Sequence, residues 1–150
     1  MGSDHTSTTP ATGGETSRLL ERTAVIVVSY GSPELLKSNL AQISQEVPEA
    51  RIVVVDSFST PEMREATIAL ADEHGWLVEL PETNTGFGGG MNLGAARART
   101  EGAEILLLLN PDATISRENL IRLVSRDEVV DFRTLMDEMW NIAKQEMDFL

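Results

Sequence analysis

AVIVVSYGSPELLKSNLAQISQEVPEARIVVVD, Ala24 to Asp56, is the stretch whose reading decides the fold. It holds two short aliphatic runs, AVIVVSY (Ala24 to Tyr30) and RIVVVD (Arg51 to Asp56), with no polar alternation inside either. Such runs read as strands covered on both faces, the pattern of parallel sheets. Between them, Ser32 supplies a helix cap and Pro33 a first-turn proline, which predicts a crossover helix through about Ile43.

The same alternation continues outward. Thr60 and Pro61 repeat the cap-plus-proline signal, and the helix they open carries Met63, Ala66, Ile68 and Leu70 before His74 and Gly75 close it. WLVEL (Trp76 to Leu80) is a third strand; a glycine-dense loop and a helix from about Met91 to Thr100 follow. EILLLL (Glu104 to Leu109) is a fourth strand, ended by Asn110, Pro111 and Asp112. The expected class is α/β, an open, doubly wound, mainly parallel sheet, whose ligands bind beyond the carboxyl ends of the strands. Ser29 and Tyr30, Asp56 to Ser59, Pro81 to Gly90 and Asn110 to Asp112 occupy those ends.

Composition narrows the functions. The 150 residues, 41% of them hydrophobic, suffice for one core. Lys and Arg total 12 against 24 Asp plus Glu, a formal charge of -12, which argues against nucleic acid as a partner. The aliphatic run Ile105 to Leu109 is far short of the roughly 20 residues that cross a bilayer. With no Cys, thiolate chemistry and Cys-based zinc sites are excluded. Residues 1–22, rich in Ser, Thr, Gly and Pro, are expected to be a flexible lead-in, with His5 solvated inside it. The expected location is cytoplasmic, with peripheral attachment to a membrane left open.

Three motifs sit at the polar sheet edge. Asp56 closes an otherwise aliphatic strand, so its carboxylate can accept hydrogen bonds from a base or ribose; a turn-starting Asp bonded to Ser57 to Ser59 is the alternative. TNTGFGGGMNLG, Thr83 to Gly94, holds five glycines ahead of a helix, which suits the approach of a pyrophosphate to backbone N–H groups; a low-complexity mobile loop is the other possibility. The dinucleotide fingerprint fails, since Gly86 and Gly88 would require glycine where Met91 stands. Asn92 is expected to cap this helix and Gly94 to allow close packing. In Asn110-Pro111-Asp112, the hard oxygen of Asp112 suits Mg²⁺ or Mn²⁺ sharing its shell with phosphate oxygens, although Asn-Pro-Asp is also an ordinary turn.

Taken together, AVIVVSYGSPELLKSNL, VVVDSFST, NTGFGGGMNLGAARA and LLLLNPDATIS, spread over Thr23 to Val124, resemble the nucleotide-sugar half of a family 2 glycosyltransferase with a GT-A fold. The NPD form of the acidic motif and the N-x-G-F-x-x-G-x-N-x-G segment are most similar to the branch that transfers rhamnosyl or galactofuranosyl units. By this resemblance Ser29, Tyr30 and Asp56 would contact the base and ribose, Asn84, Gly86, Gly88 and Asn92 would line the donor site, and Asp112 would hold the metal that bridges the diphosphate. It implies a nucleoside-diphosphate sugar donor, a saccharide or lipid-linked acceptor, and inverting transfer. The D-N-G-S-T-D segment common there reads Asp56-Ser57-Phe58-Ser59-Thr60-Pro61 here, with an aromatic where glycine is usual. The part that normally brings the acceptor site and the catalytic base is not recognised, so this chain alone is expected to have weak or no activity.

Residues 125–150 carry Val129, Phe132, Met136, Met139, Ala143, Met147 and Leu150 at three- and four-residue steps, an amphipathic stripe. A helix on the domain's own sheet, self-association into a homodimer, and a foreign segment are the alternatives. The domain layout expected is thus 1–22 flexible, 23–124 donor-binding and 125–150 helical. The functions weighed are a glycosyltransferase, a truncated domain that binds a nucleotide sugar without turnover, and a doubly wound oxidoreductase or flavodoxin-like domain.

Overall fold

A computed structural model of the chain describes residues 13–125; the expectations for His5 and for residues 126–150, homodimerisation included, fall outside them. The order is α1 (Gly13–Glu21), β1 (Thr23–Ser29), α2 (Pro33–Leu35), a π-helical stretch (Leu36–Leu40), α3 (Ala41–Glu46), β2 (Arg51–Asp56), α4 (Pro61–His74), β3 (Leu77–Glu79), α5 (Gly86–Thr100), β4 (Ile105–Leu109) and α6 (Arg117–Val124). The strands form one sheet in the order β3-β2-β1-β4, and all pairs are parallel. The expected doubly wound α/β class is therefore the observed one.

The chain steps from β1 outward to β2 and β3, then reverses past β1 to β4. Because crossovers between parallel strands are right-handed, the reversal puts the last crossover helix on the opposite face from the first two. Accordingly Val25, Val27, Ile52 and Val54 pack against Leu36, Leu40, Ile43 and Ala71 on one face. Ala24, Ile26, Val28, Val53 and Val55 pack against Met91, Ala95 and Ala98 of α5 on the other. The reversal also opens a crevice between the carboxyl ends of β1 and β4, the usual ligand position in such sheets.

Capping follows the sequence in two places and departs from it in two. Thr60 Oγ1 accepts the Met63 N–H at 3.2 Å, and Gly75 ends α4 in the left-handed region at φ 72°. Ser32 makes no side-chain cap bond and donates instead to the Tyr30 carbonyl at 3.0 Å. Asn92 does not cap α5 either, because the helix begins at Gly86, and Asn92 lies exposed in its second turn.

That early start corrects the expected loop before Met91. Glycines usually weaken helices, but here they let α5 lie directly on the sheet. A Cβ at Gly90 would come within 2.8 Å of Val28 Cγ1, and one at Gly94 within 2.5 Å of Ile26 Cγ2. The close packing expected of Gly94 is thus observed.

A second correction concerns residues 13–21, expected to be flexible. They form α1, whose Leu20 is fully buried with Val47, Leu120 and Val124. Leu19 and Leu20 are the only aliphatic pair in that polar segment, and burial of this short apolar patch outweighs the surrounding composition. The α6 start, where Ser116 Oγ accepts the Asn119 N–H at 3.2 Å, places Arg117 against the turn before β2. There its guanidinium meets Glu49 in a two-pronged pair at 2.8 and 2.5 Å and donates to the Glu46 carbonyl at 3.1 Å.

Two predictions arise from this packing. Gly94→Ala should destabilise the domain by about 1–3 kcal/mol in urea unfolding, since its methyl has nowhere to go. Gly88→Ala, where a Cβ meets open space, should leave stability unchanged or raise it by about 0.4–1 kcal/mol. The second concerns pH. The hydrogen bonds from Arg117 hold Glu49 below the usual carboxylate range, and Glu49 raises Arg117. A depressed carboxyl contributes stability above its unfolded pKa of about 4.3 and loses it as pH falls through the lower folded value. The pair is partly exposed, so its worth is about 1 kcal/mol or less after solvent screening. Arg117→Met should therefore lower the unfolding midpoint at pH 7 and shrink the drop in stability between pH 5 and pH 3.

Candidate functional site

Side by side at the carboxyl edge, Ser29 ends β1 and Asp56 ends β2 as register partners. The Ser57 N–H continues the ladder by donating to the Ser29 carbonyl at 2.8 Å, which fixes the two strand tips relative to each other. Asp56 is 1% exposed, so its charge needs a partner, and α4 supplies one. Arg64 donates through Nε to Asp56 Oδ2 at 2.7 Å and through Nη2 to the Asp56 carbonyl at 2.9 Å. The same Nη2 reaches the Pro81 carbonyl at 2.6 Å, which ties the β2 tip to the segment after β3. The guanidinium also lies over the Phe58 ring, 4.9 Å from its centroid.

Asn84 organises the next layer. Its Oδ1 accepts Ser57 Oγ–H at 2.6 Å and the Gly86 N–H at 2.8 Å, so one amide joins the β2 tip to the start of α5. Gly86 itself sits at φ 73°, a backbone conformation that side chains disfavour. Beyond it the first turn of α5 carries N–H groups with no intrahelical acceptor, next to Gly88, where a Cβ would meet only open space. This is a cradle for an anionic group in its chemistry. On the far side of β1, the Asn39 amide donates to the Pro111 carbonyl at 3.1 Å and the Thr114 hydroxyl to the Asn39 carbonyl at 3.4 Å. These bonds hold the turn that presents Asp112, which is exposed.

The structure thus puts Ser29, Tyr30, Asp56 and Asp112 at or just beyond strand ends, Asn84 in the connection before α5, and Gly86, Gly88 and Asn92 in the first two turns of α5, all at the carboxyl edge of the sheet. It links Ser29, Asp56, Asn84 and Gly86 through the contacts above. Among the described residues, Tyr30, Gly88, Asn92 and Asp112 have no side-chain hydrogen bond to that group. Arg64, Phe58, Ser59 and Asn39 belong to the edge as well, and sequence reasoning does not single them out as site residues. Arg64 has one readable signal: a cation in the fourth position of a helix opened by Thr60-Pro61 sits at the positive end of the helix dipole, where a carboxylate is expected to answer it.

Three buried side-chain atoms among the described residues lack a hydrogen-bond partner: Ser29 Oγ, Asp56 Oδ1 and Ser59 Oγ. All three lie at this edge. Ser59 Oγ is 3.0 Å from where a Cβ on Gly31 would sit, so it faces the chain leaving β1. Native proteins pair such groups, so these three call for a partner from outside the protein, water or a ligand. Five of the six most exposed large apolar side chains among the described residues, Tyr30, Leu35, Met63, Leu80 and Phe87, stand on strand tips or first helical turns around the same edge.

A cavity of about 570 Å³ lies at the opposite edge, between the starts of β2 and β3. Its polar groups already answer one another: Trp76 Nε1 donates to Ser44 Oγ at 2.5 Å, Arg51 to the Glu21 carbonyl at 2.5 Å, and Glu49 is held by Arg117. The unpaired atoms, not the cavity, therefore locate the candidate site.

For a divalent metal the donor set is thin. No three His, Cys, Asp or Glu side chains converge among the described residues. Asp112 alone would need a ligand's oxygens and water to complete a shell, which is the mode hard cations use with phosphates. The residues fit a metal only as a site shared with a bound diphosphate.

Comparison with known proteins agrees with this geometry. A mannosyltransferase from Pyrobaculum calidifontis, PcManGT, solved in complex with GDP-Man and Mn²⁺, superposes with a TM-score of 0.58 at 25% identity, over 72% of this chain and 33% of that one. TarS 1-349 from S. aureus, solved in complex with UDP-GlcNAc, gives a TM-score of 0.55 at 24% identity, over 69% of this chain and 30% of that one, and shows the shared fold. The chain spans about a third of the length of these neighbours. No curated protein matches it. Residues 24–131 match the family model described as glycosyl transferase family 2. With a doubly wound sheet, a polar carboxyl edge and a family match over most of its length, the chain belongs to glycosyl transferase family 2.

Proposed function

We propose that residues 23–124 bind a nucleoside-diphosphate sugar in the crevice beyond the strand tips and present it for transfer to an acceptor hydroxyl with inversion. The observation that carries this reading is the trio of buried, unpartnered atoms, Ser29 Oγ, Asp56 Oδ1 and Ser59 Oγ, at the edge where a ligand approaches such a sheet. Ser29 and Asp56 contact the nucleoside, with Tyr30, 61% exposed, beside it. The free N–H groups at the start of α5 and the open space at Gly88 receive the diphosphate. Asp112 would hold Mg²⁺ or Mn²⁺ there, with the ligand's own oxygens and water. When bound, such an ion offsets the charge that builds up on the leaving group. The neighbour solved with GDP-Man and Mn²⁺ supports this assignment.

The NPD turn and the Asn84-to-Gly94 segment favour a rhamnosyl- or galactofuranosyl-transferring branch. A second reading, donor binding without turnover, is favoured by the pairing of Asp56 with Arg64, which removes that carboxylate as a base for the acceptor proton.

Titration calorimetry with UDP, dTDP and GDP, each with and without Mn²⁺, tests the proposal. At least one nucleotide should bind, more tightly with Mn²⁺, and Asp112→Ala should abolish the gain from Mn²⁺ while leaving metal-free binding within about threefold, a difference of under 1 kcal/mol. Equal affinity with and without metal would remove Asp112 from its role, and tight NAD(H) or flavin binding would overturn the donor assignment. Release of free nucleoside diphosphate from donor sugars in the presence of acceptors separates transfer from binding alone.

A further inference from the structure

β4 is the strand whose surroundings the function above leaves unexplained. It closes the sheet beside β1, and among the described residues nothing pairs with its outer edge. The run ILLLL is apolar throughout, the composition of a strand covered on both faces, yet each of its five residues is half-buried where every residue of β1 is buried. The opposite edge of the sheet is protected in another way. β3 is three residues long and ends in Glu79, a short and charged edge that resists pairing with a further chain. β4 has neither device, so its apolar flank calls for a cover.

The two faces of β4 are not equally served. Ile105 and Leu107 pack against the cluster that holds Leu120 and Val124 of α6, and Leu107 and Leu109 against the one that holds Leu36 and Leu40. Leu106 and Leu108 lie at the margin of the cluster under α5, a helix seated on Val28 and Ile26 of β1 and Val55 of β2. The open ground is the strip over Leu106 and Leu108, beside the flank of α5 that faces away from β3. Arg97 marks the β3 side of that helix by pairing with Glu79 at 3.3 Å. Arg99 is two positions on, about 200° round the helix, and so stands exposed on the flank toward β4.

The sequence after α6 matches this strip in length, pattern and charge. Val124 shares a cluster with Ile105, so the segment departs at the start of β4. Of its 25 residues, six extended ones reach about 20 Å, enough to pass the sheet edge, and the other 19 as a helix would measure about 28 Å against about 17 Å for β4. Phe132, Met136, Met139, Ala143, Met147 and Leu150 would form one apolar stripe on that helix. Residues 126–150 also hold seven acids against three bases, complementary to Arg99.

We propose that residues 126–150 fold back over Leu106 and Leu108 as a helix and close the free flank of β4 with the Phe132-to-Leu150 stripe. So covered, the strand no longer offers an apolar template to a second copy of the chain.

The chain contains no Cys, so each introduced thiol reports on one place. In the full chain, Leu108→Cys should react with a maleimide at least about tenfold more slowly than in the same chain carrying Met136→Asp and Met139→Asp, which spoil the stripe. A short bismaleimide should join Leu108→Cys to at least one of Met136→Cys, Met139→Cys and Ala143→Cys within a single chain. Asn141→Cys, on the other side of the same helix, should be joined at least about fivefold less. Equal labelling rates with and without the aspartates would show β4 to be open and overturn the cover. A joined product only at twice the chain mass would make a second copy the occupant, and equal yields from Asn141→Cys and the stripe positions would remove the helix; either overturns the proposal. The joined pairs carry the test if a thermal melt shows that the aspartate variant does not fold.

Discussion

Everything in this domain is built on β1. It pairs on both edges, with β2 and with β4, and its side chains are covered on both faces. A strand so enclosed must be aliphatic along its length, and TAVIVVS is so between its first residue and its last. That last residue, Ser29, is where covered strand gives way to site, and the reversal of strand order at β1 opens the crevice in front of it. On one face the enclosure depends on Gly90 and Gly94, which let α5 press against Val28 and Ile26. The same helix then aims its first turn at the crevice. Core packing and ligand geometry are thus set by one contact.

How much of this is legible in the amino-acid sequence depends on the distance over which each signal acts. The strands are readable because both-face burial imposes a continuous apolar run, and the crossover helix α4 because Thr60-Pro61 and Gly75 act within a few residues. The helix start at Gly86 is not, because local propensity counts glycine against helix, and only the facing Val28 and Ile26 reveal why no side chain fits at Gly90 and Gly94. For α1 the misleading signal is composition. A segment dominated by Ser, Thr and Gly still folds when Leu20 finds Leu120 and Val124, a hundred residues away in sequence.

The candidate site divides in the same way. Asp56, the glycine segment and Asp112 are identifiable from residue type and position at strand ends. Their supports are not: Asn39 beneath the Pro111 turn, and the Asn84 amide joining Ser57 to Gly86, act through tertiary contacts that spacing does not encode. Phe58, which departs from the pattern usual in the family, gains its reason only when Arg64 is seen lying over it.

The meeting of α1 with α6 has a consequence for how the domain holds together. Leu20, in the last turn of α1, and Val124, in the last turn of α6, share one apolar cluster beside Val47, at the edge opposite the crevice. The polypeptide therefore enters the sheet and departs from it at neighbouring points. A loss of volume there, at Leu20 or Leu120, would therefore loosen the helix before the first strand and the helix after the last one together.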